Sequence, residues 1–149
     1  MDGYETAGTN AANHDSVTDC KINVPQNYYL PTTTIPARYI RLTSDGSTVN
    51  AGTYMVEIQA FESSDATGTN LLYQKTGPNG SNLGRATDNS WVKSQYSSGN
   101  PEIWDLGTVK NLGSIKFATY TDGRVFTNFR LSVSEDNVNW TNILGPMTF

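Results

Sequence analysis

Polar and apolar residues alternate with a period of two in several short stretches of this chain, and nowhere is there a sustained period of 3.6. In Ala37-Arg-Tyr-Ile-Arg-Leu42, Arg38, Ile40 and Leu42 alternate with Tyr39 and Arg41, which predicts a strand with one buried face. A turn at Ser44-Asp-Gly46 follows. Tyr54 to Phe61 predicts a second strand, with Tyr54, Val56, Ile58 and Ala60 on one face and Met55, Glu57, Gln59 and Phe61 on the other. Asn70-Leu-Leu-Tyr73 is a short third candidate, and Asn79 to Trp91 reads as a long loop rich in Gly, Asn and Ser.

The second half alternates more cleanly. Glu102 to Leu106 predicts a strand that stops at Gly107, and Ser114 to Thr119 one that places Ile115 and Phe117 together. Asn128 to Val133 places Phe129, Leu131 and Val133 on one face, ahead of a turn at Glu135-Asp-Asn137 and the hydrophobic Trp140. Pro25, Pro31 and Pro36 exclude a helix or a long central strand from the first 36 residues, leaving a loop-like approach. Short strands without intervening helices predict an all-β fold, a β-sandwich of jelly-roll type. Residues 1–22 are expected to form a flexible leader and residues 23–149 the sandwich.

Composition agrees with this reading. Thr (19), Asn (15), Ser (13) and Gly (13) make up much of the 149 residues and favour strands and turns over helix interiors. Sixteen aromatics and a net charge of only −4 argue for a folded core. The acidic balance argues against nucleic acid as a partner, and no apolar run of membrane-spanning length is present. Cys20 is a single thiol without zinc-ligand neighbours, and the polar stretch before it lacks a secretory pattern. The expected setting is extracellular or a virion surface, reached as part of a larger protein or particle.

Five segments together resemble discoidin-like domains, the coagulation-factor C-type or galactose-binding-like jelly rolls that include many bacterial carbohydrate-binding modules. They are Ala37 to Leu42, Val56-Glu-Ile-Gln-Ala-Phe61, Ala86-Thr-Asp88, Trp104-Asp-Leu-Gly107 and Val133-Ser-Glu-Asp-Asn-Val-Asn-Trp140. In that family the last two come first, so the chain looks circularly permuted, a change that compact domains with neighbouring termini tolerate. Closure within one chain would place Ala37 to Leu42 and Asn128 to Val133 in one core; the alternative is a swapped head-to-tail assembly in which the closing strands of one copy complete another. The resemblance implies a structural calcium near Asp88, closed by Glu57, with Thr87 and Ser90 as further oxygen donors and Asn89 in place of the family's glycine. Asn tolerates the left-handed backbone such a loop needs.

The resemblance also implies glycan recognition by an end loop. Tyr120-Thr-Asp-Gly-Arg-Val-Phe126 has the composition for it: Asp122 and Arg124 to bond hydroxyls, and Tyr120 or Phe126 as a stacking platform. Tyr96 is a second aromatic candidate, whereas Trp104 and Trp140 are expected in the core. The only histidine, His14, precedes the predicted strands, and no nucleophile or phosphate-loop motif occurs, so no enzyme is expected. The function expected is therefore a non-catalytic, lectin-like module that attaches its parent protein or particle to glycans. The alternative is a virion decoration or tail-fibre protein using the same fold for assembly or adhesion.

Overall fold

A computed structural model describes residues 26–29, 33–51, 53–75, 87–89, 95–97, 101–119 and 123–148. Eight strands follow one another: β1 (Gln26–Tyr29), β2 (Ile35–Thr43), β3 (Thr53–Phe61), β4 (Gln95–Ser97), β5 (Glu102–Leu112), β6 (Ser114–Thr119), β7 (Phe129–Ser134) and β8 (Thr141–Met147). They form two four-stranded antiparallel sheets, ordered β1-β6-β3-β4 and β5-β2-β7-β8. The chain passes repeatedly from one sheet to the other, and the expected all-β class holds. No helix among the described residues is long and apolar enough to cross a membrane.

The core lies between the sheets. Ile40 and Leu42 of β2, Ile58 and Ala60 of β3, Trp104 of β5, Phe117 of β6 and Leu131 of β7 belong to one buried cluster. Phe117 and Phe129 stack across the two sheets, with ring centroids 5.1 Å apart and planes 19° from parallel. The alternation read from β2 and β7 survives, and Trp104 is buried as expected. β2 and β7 also pair directly within one chain, Leu42 opposite Leu131.

Several expectations are corrected. In β3 the core residues are Met55, Ile58 and Ala60, a mixture of both expected faces. The register shifts between Met55 and Glu57, and this bulge at Val56 resets the alternation so that Met55 and Ile58 share the inner face. β5 does not stop at Gly107: a shift between Ala37 and Tyr39 of β2 absorbs extra β5 residues, and Gly107 takes φ +90° within them. Asn70 to Tyr73 form a turn, not a strand, β1 arises where loop was expected, and β8 follows Trp140, where no strand was expected. Trp140 is half-buried on an outer face, with the Arg41 guanidinium 4.1 Å from its ring centroid. The expected leader, residues 1–22, lies outside the described residues, as does Trp91.

Only Gly113 separates β5 from β6, so the two strands turn from one sheet to the other at a single residue. The Gly113 N–H donates to Phe61 O at 2.8 Å, and a Cβ at this position would lie 2.3 Å from Glu62 O. Ser114 therefore sits at the Ile35 end of β2. By strand direction, Thr43, Thr53, Thr119 and Phe129 gather at the opposite end, and Gln26 and Met147 both lie toward it.

Phe129→Ala should lower unfolding free energy by about 3–5 kcal/mol, because it empties one half of the intersheet stack. Denaturant titration followed by tryptophan fluorescence measures this; a loss under about 1 kcal/mol would mean that the stack does not join the sheets.

Candidate functional site

The bulge in β3 turns Glu57 and Gln59 to the outer face of the first sheet. Segment 62–75 and residues 87–89 cover them there, so Glu57 is 0% and Gln59 8% exposed. A carboxylate so placed needs partners. Glu57 Oε1 accepts from the Gln59 side-chain amide at 3.3 Å and from the Asn89 N–H at 3.1 Å, whereas Oε2 is buried without a hydrogen-bond partner. Asn89 takes φ +64°, the left-handed backbone foreseen for it. Its Oδ1 accepts from Gln59 Nε2 at 3.2 Å and from Asn70 Nδ2 at 2.8 Å.

Asn70 ties this cluster to the sheet, since its Oδ1 accepts from the N–H groups of Ala60 (3.1 Å) and Leu72 (3.0 Å). Thr87 is buried, its hydroxyl donating to Lys75 O at 2.8 Å, and its own carbonyl accepts from the Gln74 N–H at 2.7 Å. Burial is the main reason that the Glu57 carboxyl is pushed up to about 8; the Gln59 and Asn89 donors oppose the shift, and the nearby Asp88 carboxylate adds to it. The structure thus brings Glu57, Thr87 and Asp88 together, with Asp88 partly exposed at the rim. Ser90 lies outside the described residues. Gln59 and Asn70 were not singled out as ligand groups by the sequence. An Asn two residues before a buried Leu, able to cap its N–H, was the available signal for Asn70.

A second constellation occupies the Thr43–Phe129 end. Segments 44–50 and 123–128 are zipped together: Asp45 N–H donates to Thr127 O (2.9 Å), Thr127 N–H to Gly46 O (3.1 Å) and Thr48 N–H to Val125 O (2.9 Å). The Val125 N–H donates to Thr48 Oγ1 at 3.1 Å, Asn128 Nδ2 donates to Asp45 Oδ2, and Ser47 bridges Phe126. Asp45, Thr48, Asn50, Gly123 and Asn128 remain exposed on this surface. Phe126 is fully buried, which corrects its expected role as a platform, because no ring face is open to a sugar. Arg124 is 6% exposed. Tyr120 and Asp122 lie outside the described residues, as does the side chain of Tyr96, whose backbone pairs with Tyr54 in β4.

No protein-family model, curated protein or solved structure matches this chain. The functional reading therefore rests on these two constellations.

The Glu57 shift makes a pH prediction. A carboxyl whose folded pKa is raised favours the folded state least when ionised, so without added metal the protein should lose stability as pH rises from about 4.5 to about 8. At pH 7 the penalty is about 3 kcal/mol, from 1.36 kcal/mol per unit. Glu57→Gln, measured in chelator, should flatten this slope and be the more stable form at pH 8; an unchanged slope would refute the buried-carboxyl account.

Proposed function

We propose that this chain is a non-catalytic carbohydrate-binding module of discoidin-like type, whose paired loops 44–50 and 123–128 belong to the glycan-binding surface. The observation that carries the reading is the hydrogen-bonded zipper between those two segments. It holds polar groups in place before any ligand arrives, which lowers the ordering cost of binding. Sugar hydroxyls are matched by mixed donors and acceptors of the kind exposed here, with Asp122 the ligand group that the discoidin resemblance supplies. Arg124, being buried, acts as the support of this surface.

Within the same proposal, Glu57 and Asp88 hold a cation, calcium by their all-oxygen character. The buried Oε2 without a hydrogen-bond partner and the neighbouring Asp88 fit such an ion, which would supply the positive charge that an ionised Glu57 lacks. Among the described residues no three His, Cys, Asp or Glu side chains converge, so Thr87, Asn89 and backbone oxygens would complete the shell. The ion would keep Glu57 ionised at neutral pH and fasten residues 87–89 to β3.

Calcium at 100 times its dissociation constant should add about 2.7 kcal/mol to stability and raise the melting temperature accordingly. Asp88→Ala should abolish that rise. Identical melting curves in chelator and in millimolar calcium would remove the ion from the account.

On a glycan array the protein should bind selectively and weakly, at about −4 to −6 kcal/mol per site. Asp122→Ala and Asp45→Ala should weaken binding without unfolding, whereas Arg124→Ala should cost stability. Binding indifferent to Asp122 and Asp45 would move the site elsewhere, and no binding at all would favour a virion structural role.

A further inference from the structure

The outer face of the second sheet carries a different chemistry. Ile40 and Leu42 of β2 and Phe129, Leu131 and Val133 of β7 belong to the core. Alternation therefore turns Tyr39, Arg41 and Thr43, and Arg130 and Ser132, outward. Arg41 pairs with Ser132 and Thr43 with Arg130, so the two arginines are diagonal neighbours on one face. Among the described residues no carboxylate pairs with either. Arg38, by contrast, is neutralised by a two-pronged contact to Asp105, Nε to Oδ1 and Nη2 to Oδ2, both at 2.9 Å. Burial and the Arg130 charge both hold the Arg41 guanidinium below its ordinary value, as expected for neighbouring positive charges without an anion between them.

The Arg41 guanidinium is also held in place. It lies 4.1 Å from the ring centroid of the half-buried Trp140, which occupies its flat face and leaves the terminal N–H groups at its edge for an acceptor. Arg130 is exposed beside it, and Asn142, opposite Ser132 and also exposed, borders the pair with its amide bonded to Ser132 Oγ and Gly145 O. We propose that Arg41 and Arg130 form a second binding site, for the anionic groups of an acidic polysaccharide, with Trp140 as its wall. Planar N–H pairs suit carboxylate and sulfate oxygens alike. The indole wall, an apolar face beside the charged edge, favours a saccharide carrier. The chain's net charge of −4 repels polyanions, so any attraction must be local to this face. The site is distinct from the loop surface and does not rest on it.

The probes are polygalacturonate for carboxylate, dextran sulfate for sulfate and neutral dextran as a blank. The wild-type chain should bind at least one polyanion at low ionic strength, lose it as salt is added, and ignore dextran. Binding to polygalacturonate alone identifies carboxylate, binding to dextran sulfate alone identifies sulfate, and either supports the site. Arg130→Gln and Arg41→Gln should each weaken binding at least tenfold. Lys116→Gln makes the same charge change on the other sheet and should alter binding less than twofold. Because Arg130 is exposed, Arg130→Gln should melt like the wild type and keep the test independent of folding. Asp122→Ala should leave polyanion binding intact, which separates this site from the loop surface. Absence of binding to both polyanions, equal losses from Lys116→Gln and Arg130→Gln, or tighter binding to a single-stranded DNA oligonucleotide would overturn the proposal.

Discussion

Two sheets that share no strand ladder among the described residues are joined chiefly by what lies between them, and the Phe117–Phe129 stack is one such contact. Each ring comes from a strand with neighbours on both sides, so the stack locks β6 to β7 and, through their pairing, β3 and β2 as well. An inner face needs an apolar residue at every second position, and the strands that serve this core are short. Where a strand must cross the core and also meet a loop, strict alternation fails, and a bulge restores it.

The Val56 bulge shows how packing leads to chemistry. By shifting one residue it sends Met55 inward and leaves Glu57 and Gln59 on the outer face, where residues 87–89 cover them. The price is a buried carboxyl with one oxygen unsatisfied, a cost of about 1–3 kcal/mol that a core of alternating apolar residues would never incur. A group kept at that cost suits a site for a cation. The opposite outer face reaches a different solution: Arg41 lies against Trp140 and beside Arg130, and its excess positive charge is turned to solvent. One outer face thus buries a carboxyl under residues 87–89, and the other brings two guanidinium groups together.

The end of the sheets where 44–50 meets 123–128 is separate from both faces. Its loops are bound by backbone hydrogen bonds, which carry little sequence preference, and by the side chains of Thr48, Asp45 and Asn128. Substitutions at exposed side chains outside those bonds, such as Val49, leave the backbone bonds intact, which would let the proposed binding surface vary while the fold stays the same.

Strands β2, β6 and β7 were legible from alternation, because Ile40 and Leu42, Ile115 and Phe117, and Phe129, Leu131 and Val133 each follow a period of two into the core, although β2 breaks that period between Ala37 and Ile40. β1 and β8 were not legible: four residues at an edge and a segment containing Gly145 and Pro146 carry too little pattern to stand out from loop. Asp88, Glu57 and Asn89 were brought together by resemblance, and the tertiary structure supplied Gln59 and Asn70 around them, since amides distant in the chain reveal nothing of a shared partner until it folds. By itself the sequence determined the all-β class and the inner faces of its clearest strands, because burial imposes a period of two on neighbouring residues. Only the tertiary structure decided where that period breaks, that Phe126 is buried and Trp140 is not, and that Arg41 and Arg130 meet. Bulges and cross-strand register depend on a partner strand, and the partner is distant in sequence.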